Sequence, residues 1–171
     1  MIRDATPEDA EAIAAIYNDA VLHSTTFWNA TPVDAGERAV WIAARAAGGF
    51  PVLVIDEGGT VLGYASYGPF RPQEGFRATV ENSVYLAEGA RGAGRGHALM
   101  AQLIAYARAA GVHAMVAAVD AANPPSIRLH EGLGFQTIGT LPQVGQKFGR
   151  WRDLTLLQLT LDTRDTPDQE V

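Results

Sequence analysis

Residues 91–96 read Arg-Gly-Ala-Gly-Arg-Gly and stand between an apolar, β-leaning run, Val84-Tyr85-Leu86, and a helical pattern opening near Gly94. No other stretch restricts the fold as much, because a strand must leave its sheet here, turn tightly and enter a helix within a few residues. Glycine admits left-handed backbone and lets other atoms approach the main chain closely. The first amides of a helix lack intrahelical acceptors, and with the helix dipole they attract anionic oxygens. A phosphate or pyrophosphate suits such a junction. The lysine and the Gly-x-x-x-x-Gly-Lys-Ser/Thr spacing of a P-loop are missing.

With 171 residues the chain suits a single domain with a real core. It has no cysteine, which removes disulfides, thiolate metal sites and cysteine nucleophiles. Thirteen basic against nineteen acidic side chains give a formal charge of −6, the wrong sign for a general nucleic-acid binder. Arg91, Arg95 and His97 nevertheless concentrate positive charge at the glycine run, and a local field can override the net charge. No apolar run approaches the length of a membrane span. The first nine residues are too polar for a signal peptide, so a cytoplasmic location is expected.

Thr6-Pro7-Glu8-Asp9 joins a hydroxyl cap, a proline at the first helical position and first-turn acids, predicting a helix to about Leu22. Residues 23–30 lose the helical period and form a loop. A capping box, Asp34 with Glu37, opens a helix that runs to about Ala47 and ends at Gly48-Gly49. Residues 51–57 and 61–67 flank Gly58-Gly59-Thr60 as a hairpin. A surface loop over 69–77 leads to a strand over 78–86, the glycine run and a helix over 94–110. A strand over 114–119 and a short helix from Pro124 to Leu133 follow. Residues 135–139 and 154–161 close the pattern as two strands separated by a long loop. The expected fold is α/β, one mixed, mostly antiparallel sheet flanked by helices in a single domain over residues 1–163, with a polar tail over 164–171.

A second segment gives the glycine run its chemical identity: Asn123-Pro-Pro-Ser126-Ile-Arg-Leu-His130-Glu-Gly-Leu-Gly134-Phe135. Here the chain resembles the GNAT acyl-CoA N-acetyltransferases. Arg91, Gly94 and Gly96 match their Arg/Gln-x-x-Gly-x-Gly/Ala signature, and Asn123, Ser126, His130 and Gly134-Phe135 match their later one. Ile16-Tyr-Asn18, Ser24-Thr-Thr-Phe27, Gly68-Pro-Phe-Arg71, Thr79-Val-Glu-Asn-Ser-Val-Tyr85 and Lys147-Phe-Gly-Arg-Trp151 are similar, in order, to the phosphinothricin and methionine sulfoximine acetyltransferase branch. The resemblance covers the chain to about residue 161.

The resemblance implies acetyl-CoA as co-substrate, no metal, a small amino acid as acceptor and a homodimer. Glu81 would be the base that takes a proton from the attacking amine; the residues alone favour a solvated carboxylate on the open face of a strand, and it is the resemblance that points to the base. His130 would protonate the departing thiolate, or simply cap its short helix. Arg91, Gly92, Gly94, Arg95, Gly96 and His97 would cradle the pyrophosphate through main-chain amides. Val84 and Leu86 would pair their backbone with the pantetheine arm, which Asn123 and Ser126 would also touch; Ser126 could equally be a cap. Arg71 and Arg77 lie just ahead of Glu81 and carry the two-pronged donors that suit a carboxylate. Phe27 would wall the acceptor pocket, and Lys147, in the long loop, would close it or cross a dimer interface.

Three departures from the branch concern the acceptor: Gln73 in place of an arginine, Phe76 in place of a tyrosine, and the bulky Trp28 after Phe27. Two other readings keep their place beside the amino-acid one. The acceptor could be a protein N-terminus, which needs an open groove, or a polyamine, which prefers acids where Arg71 and Arg77 stand. The chain could also be a non-catalytic acetyl-CoA-binding module.

Overall fold

The computed structural model describes residues 1–167. Seven strands form one sheet in the order β1-β2-β3-β4-β5-β7-β6. They are β1 (Ile2–Asp4), β2 (Val52–Glu57), β3 (Thr60–Pro69), β4 (Thr79–Leu86), β5 (Ala114–Asp120), β6 (Gln136–Lys147) and β7 (Arg150–Thr160). The α-helices are α1 (Ala10–His23), α2 (Ala35–Ala47), α3 (Arg95–Ala109) and α4 (Pro124–Gly132). β4 and β5 run parallel, and every other neighbouring pair is antiparallel.

Alternate residues of the central strands feed two cores, as the two-residue side-chain period requires. Leu53, Ile55, Ala65, Tyr67, Val80, Met115 and Ala117 pack with Leu99, Met100, Leu103 and Ala107 of α3. Val52, Val54 and Tyr64 face the other way, onto Ile13 and Ile16 of α1 and Ile42 of α2. Both faces are therefore covered, and β2 reads as an unbroken apolar run because both sets of its side chains are buried.

Local signals act where expected. The Asp34 carboxylate accepts from the Glu37 amide at 2.8 Å, and the Glu37 carboxylate accepts from the Asp34 amide at 2.9 Å. Gly58 and Gly59 have φ of 65° and 84°, the left-handed pair a two-residue hairpin turn demands. The first helix opens differently from expectation: Pro7–Asp9 forms a 3-10 turn, with the Thr6 amide donating to Asp9 at 2.8 Å, before α1 begins.

Two departures change the architecture. β1 is a three-residue edge strand, too short to show a period. The long loop expected between two short closing strands is instead hairpin: β6 and β7 pair from Gln136–Gln158 to Lys147–Arg150 and turn at Phe148-Gly149. The expected tail also starts folded, because Arg164 grips the Asp162 carboxylate at 2.7 Å and the Gly111 carbonyl at 2.8 Å. Its last residues, 168–171, lie outside the described residues.

Candidate active site

β4 and β5 pair only over Thr79–Glu81 and Ala114–Val116. Beyond that point β4 stays with β3 and β5 with β7, so residues 82–86 and 117–120 diverge and leave a wedge in the middle of the sheet. Asn82 closes its apex, its side-chain NH₂ donating to the Val116 carbonyl at 3.0 Å. On this side the β4 backbone past Glu81 has no strand partner, so its amides and carbonyls are available to an extended ligand.

The wedge opens at the glycine junction. β4 ends at Leu86, Glu88–Ala90 makes a 3-10 turn, and Gly92 and Gly94 take φ of 82° and 75° before α3 starts at Arg95. The first bond of the α3 ladder runs from the Ala98 amide to the Gly94 carbonyl at 3.0 Å. The amides of Arg95, Gly96 and His97 therefore have no intrahelical acceptor, the arrangement that receives anionic oxygens. A cavity of about 600 Å³ at this mouth is lined by Arg91, Gly92, Gly94, Gly96, His97, Val84, Leu86, Asn123 and Ser126, among others. The structure thus gathers nine of the ten residues singled out for the cofactor. The tenth, Arg95, does not line it, because its guanidinium turns away to the Glu57 carboxylate at 2.8 and 2.9 Å. Asn123 caps α4, its Oδ1 accepting from the Ser126 amide at 3.2 Å.

Deeper in, the wedge is lined by Asn82, Ser83, Val84 and Tyr85 on one side and residues 117–120 on the other, with His130 behind them. His130 is 2% exposed. Its Nδ1 donates to the Ser126 carbonyl at 2.8 Å, and its Nε2 lies 3.0 Å from the Asn82 Oδ1. Burial pushes its pKa below the ordinary histidine value, opposed by the bond to Ser126.

Past the apex, on the α1 and α2 face, lies a second cavity of about 370 Å³ that shares Asn82, Ser83 and Tyr85 with the wedge. Glu81 stands in it, open to water, yet the protein around it raises its carboxyl above the ordinary range, with Arg71 pulling the other way. Phe27 does line this cavity: its ring stacks on Tyr85 at 4.3 Å and tilts against Tyr17 at 4.5 Å. Tyr64 and Trp41 extend the aromatic wall.

The cations in this pocket come from α2, which sequence reasoning did not connect with the site. Arg38 lies over the Tyr17 ring at 4.3 Å, and Arg45 donates to the Tyr67 carbonyl at 3.2 Å with its guanidinium against Gly68, where a Cβ would collide with it. The available signal was the spacing Arg38, Trp41, Arg45, which puts all three on one side of a helix. Of the residues proposed for the acceptor, three do not line the cavity. The Arg71 guanidinium lies 5.1 Å over the Phe70 ring, close enough to act on Glu81 through its charge. Arg77 follows the 3-10 turn Glu74–Phe76, its amide bonded to the Glu74 carbonyl. Lys147 is buried, its ammonium donating to the Val21 carbonyl at 2.6 Å and to the Asn29 carbonyl. Among the described residues no cluster of His, Asp and Glu is arranged to hold a metal, and no helix is long and apolar enough to cross a membrane.

Residues 2–156 match the acetyltransferase (GNAT) domain. The chain is 57% identical over 168 residues to an L-methionine sulfoximine/L-methionine sulfone acetyltransferase of Pseudomonas paraeruginosa, covering 97% of this chain and 98% of that one. It is 38% identical to a phosphinothricin N-acetyltransferase of Alcaligenes faecalis, over 96% of this chain and 84% of that protein. An acetyltransferase structure from Salmonella typhimurium, solved with its cofactor acetyl-CoA, superposes with a TM-score of 0.96 at 50% identity, over 98% of this chain and 97% of that one. These matches span the glycine junction, the splayed strands and the Glu81 pocket alike, and the chain belongs to the GNAT acetyltransferase family.

Proposed function

We propose that the protein transfers the acetyl group of acetyl-CoA to the α-amine of a small amino acid of the methionine sulfoximine, methionine sulfone or phosphinothricin class, by direct attack in a ternary complex. One observation carries this reading: the strand wedge adjoins both other cavities, sharing Val84 and Tyr85 with the glycine junction and Asn82, Ser83 and Tyr85 with the Glu81 pocket. A long thioester can lie with its pyrophosphate on the α3 amides, its arm along the unpaired edge of Val84 and Leu86 and its acetyl group at the apex. The amine then enters from the opposite face.

An α-amine is mostly protonated near neutrality, so attack requires loss of a proton. Glu81 takes it, directly or through one water, and its raised pKa improves a base that would otherwise be weak. The amine nitrogen bonds to the acetyl carbon, the carbon–sulfur bond breaks, and the thiolate leaves into the wedge lined by His130; that ring can protonate it only as the imidazolium, because the neutral form keeps its one proton on Nδ1 toward the Ser126 carbonyl, and water supplies the proton otherwise. The pocket's size and aromatic walls favour a small acceptor over a protein terminus, and Arg38 and Arg45 repel a polyamine. A homodimer in the cytoplasm completes the reading, and apolar side chains left open on the β6–β7 hairpin support the dimer.

The test is acetyl-CoA consumption with methionine sulfone, methionine sulfoximine, phosphinothricin and ordinary amino acids. Turnover of the first three is expected, and Glu81→Gln should lower kcat about 10²- to 10⁴-fold while acetyl-CoA binding by calorimetry stays unchanged. Full activity of that variant would remove Glu81 from the mechanism. Silence across the whole panel would sink the amino-acid reading.

A further inference from the structure

A further cavity lies away from the acetyl-transfer site, at the end of the shortest strand of the sheet. β1 stops at Asp4, and there α2 from one face of the sheet and the end of α3 from the other enclose a space of about 310 Å³. Ile42 and Ala46 of α2, the Phe50-Pro51 connection and Ala110 just past α3 give it apolar walls. None of the residues lining it lines the glycine-junction cavity, the wedge or the Glu81 pocket.

Its polar side chains are few and stand at different depths. Tyr67 is 2% exposed, and its ring meets Phe50 edge-on at 5.9 Å. The Tyr67 hydroxyl has no hydrogen-bond partner among the described residues, yet unlike that of Tyr64 it is not sealed from solvent. The little surface that Tyr67 keeps therefore includes its oxygen, and it opens into this cavity. Buried polar groups are almost always paired. A water needs several polar partners to settle beside such a hydroxyl, and the walls here are mostly apolar.

At the mouth the Tyr106 hydroxyl donates to Asp4 Oδ2 at 3.4 Å, and the Asp4 charge holds that hydroxyl above its ordinary pKa. Arg3, next along the chain, gives its guanidinium to Asp9 and Asp56 at 2.7 and 2.9 Å, so the Asp4 carboxylate has no cationic partner among the described residues. No side chain lining the cavity is basic; Arg45, 5.9 Å from the Phe50 ring, lines the Glu81 pocket instead. Apolar and aromatic walls, an acid at the mouth and a free hydroxyl inside suit a cation with an apolar body, because aromatic faces and a carboxylate both attract ammonium.

We propose that this cavity is a binding site, separate from the acetyl-transfer site, for a small arylalkylamine, with its ammonium at Asp4, its ring between the apolar walls and a ring hydroxyl on the Tyr67 oxygen. The volume matches the lower end of ordinary small-molecule pockets and holds one ring with a short chain.

Calorimetry with tyramine, phenethylamine and para-hydroxyphenylacetate tests this. Tyramine should bind saturably, phenethylamine about fivefold more weakly for want of its hydroxyl, and the anion more than about tenfold more weakly. Tyr67→Phe should bring tyramine down to the level of phenethylamine and leave phenethylamine unchanged. Asp4→Asn should weaken both amines about threefold and remove most of the salt dependence of their binding. Ala46→Trp should fill the cavity and abolish binding, whereas Phe27→Ala, in the Glu81 pocket, should not alter it. If Ala46→Trp does not fold, Tyr67→Phe and Asp4→Asn, each changing one polar group, decide. Absence of saturable tyramine binding would overturn the site, as would equal affinity for the anion. Binding that Phe27→Ala removes and the Tyr67 and Asp4 variants leave intact would place the amine in the Glu81 pocket and overturn it too.

Discussion

His130 is held from both sides by oxygens that can only accept. The Ser126 carbonyl takes the Nδ1 proton, and Asn82, whose NH₂ is committed to Val116, turns its Oδ1 to Nε2. These donor assignments follow from the network itself. A neutral ring carries one N–H and satisfies one oxygen; the imidazolium satisfies both. Burial works against the charge and prevails, placing the folded pKa below the unfolded value of about 6.5. Between those two values the unfolded chain binds more protons, so this contribution to stability is full above pH 6.5 and falls as pH drops toward the folded pKa. Melting temperature should therefore decline from pH 7.5 to 5.5, and less steeply in His130→Gln. Imidazole NMR should show Asn82→Asp raising the His130 midpoint and Asn82→Leu lowering it; identical midpoints in all three would mean that Asn82 does not tune the ring. Glu81, His130 and the glycines were legible because each sits in a short motif of fixed spacing. Arg38 and Tyr64 were not, because an arginine on a helix face and a tyrosine in an apolar strand carry no local mark of the cavity between them.

In the β6–β7 hairpin, sequence reading found the two outer ends as strands and took the stretch between them, residues 140–153, for a loop. A strand announces itself by alternation when one face is buried, and β6 is exposed on both faces for most of its length. Gly139, Pro142 and Gly145 interrupt it further, with register shifts at Thr137–Gly139 and Leu141–Gly145. The wedge was equally invisible: the run from Thr79 to Leu86 is plainly a strand, but nothing in it marks where β5 lets go. The hairpin also explains Trp28, the bulky departure next to Phe27. Its indole N–H donates to Asp120 at 3.2 Å, its ring lies on Gly145, and Arg152 holds the same carboxylate at 2.8 Å. Lys147 adds its bonds to Val21 and Asn29. The segment that presents Phe27 to the pocket is thus clamped by β6, and a Cβ at Gly145 would stand about 2.1 Å from the indole. Gly145→Ala should destabilise by about 1–3 kcal/mol through overpacking and raise KM for the amino acid several-fold with acetyl-CoA affinity unchanged. Thermal melts with two-substrate kinetics check this, and an unaltered KM would show that the clamp does not position Phe27.

At the scale of the molecule, the order of helices, hairpin and strand–helix–strand units was legible because each is specified locally by caps, turns and period. The sheet order was not, because the placement of β7 between β5 and β6 is decided by long-range pairing. That placement leaves β6 as the outer strand, an edge that an isolated chain must manage. It carries Ile138, Leu141 and Val144, and the turn and β7 add Phe148 and Trp151 at 60% and 66% exposure. Single exposed apolar residues are ordinary, but five on one hairpin form a surface that a second copy would cover. Sedimentation velocity should give the mass of two chains, and Ile138→Glu with Trp151→Glu should give one. Because both side chains are mostly exposed, the double variant should melt as a folded protein. Val40→Glu on α2, where the side chain is 70% exposed and far from the hairpin in sequence, should leave the dimer intact. The hairpin also clamps the Phe27 segment, so the separated protomer should show a higher KM for the amino acid at unchanged acetyl-CoA affinity. A parent protein that sediments as one chain would detach the apolar hairpin from assembly altogether.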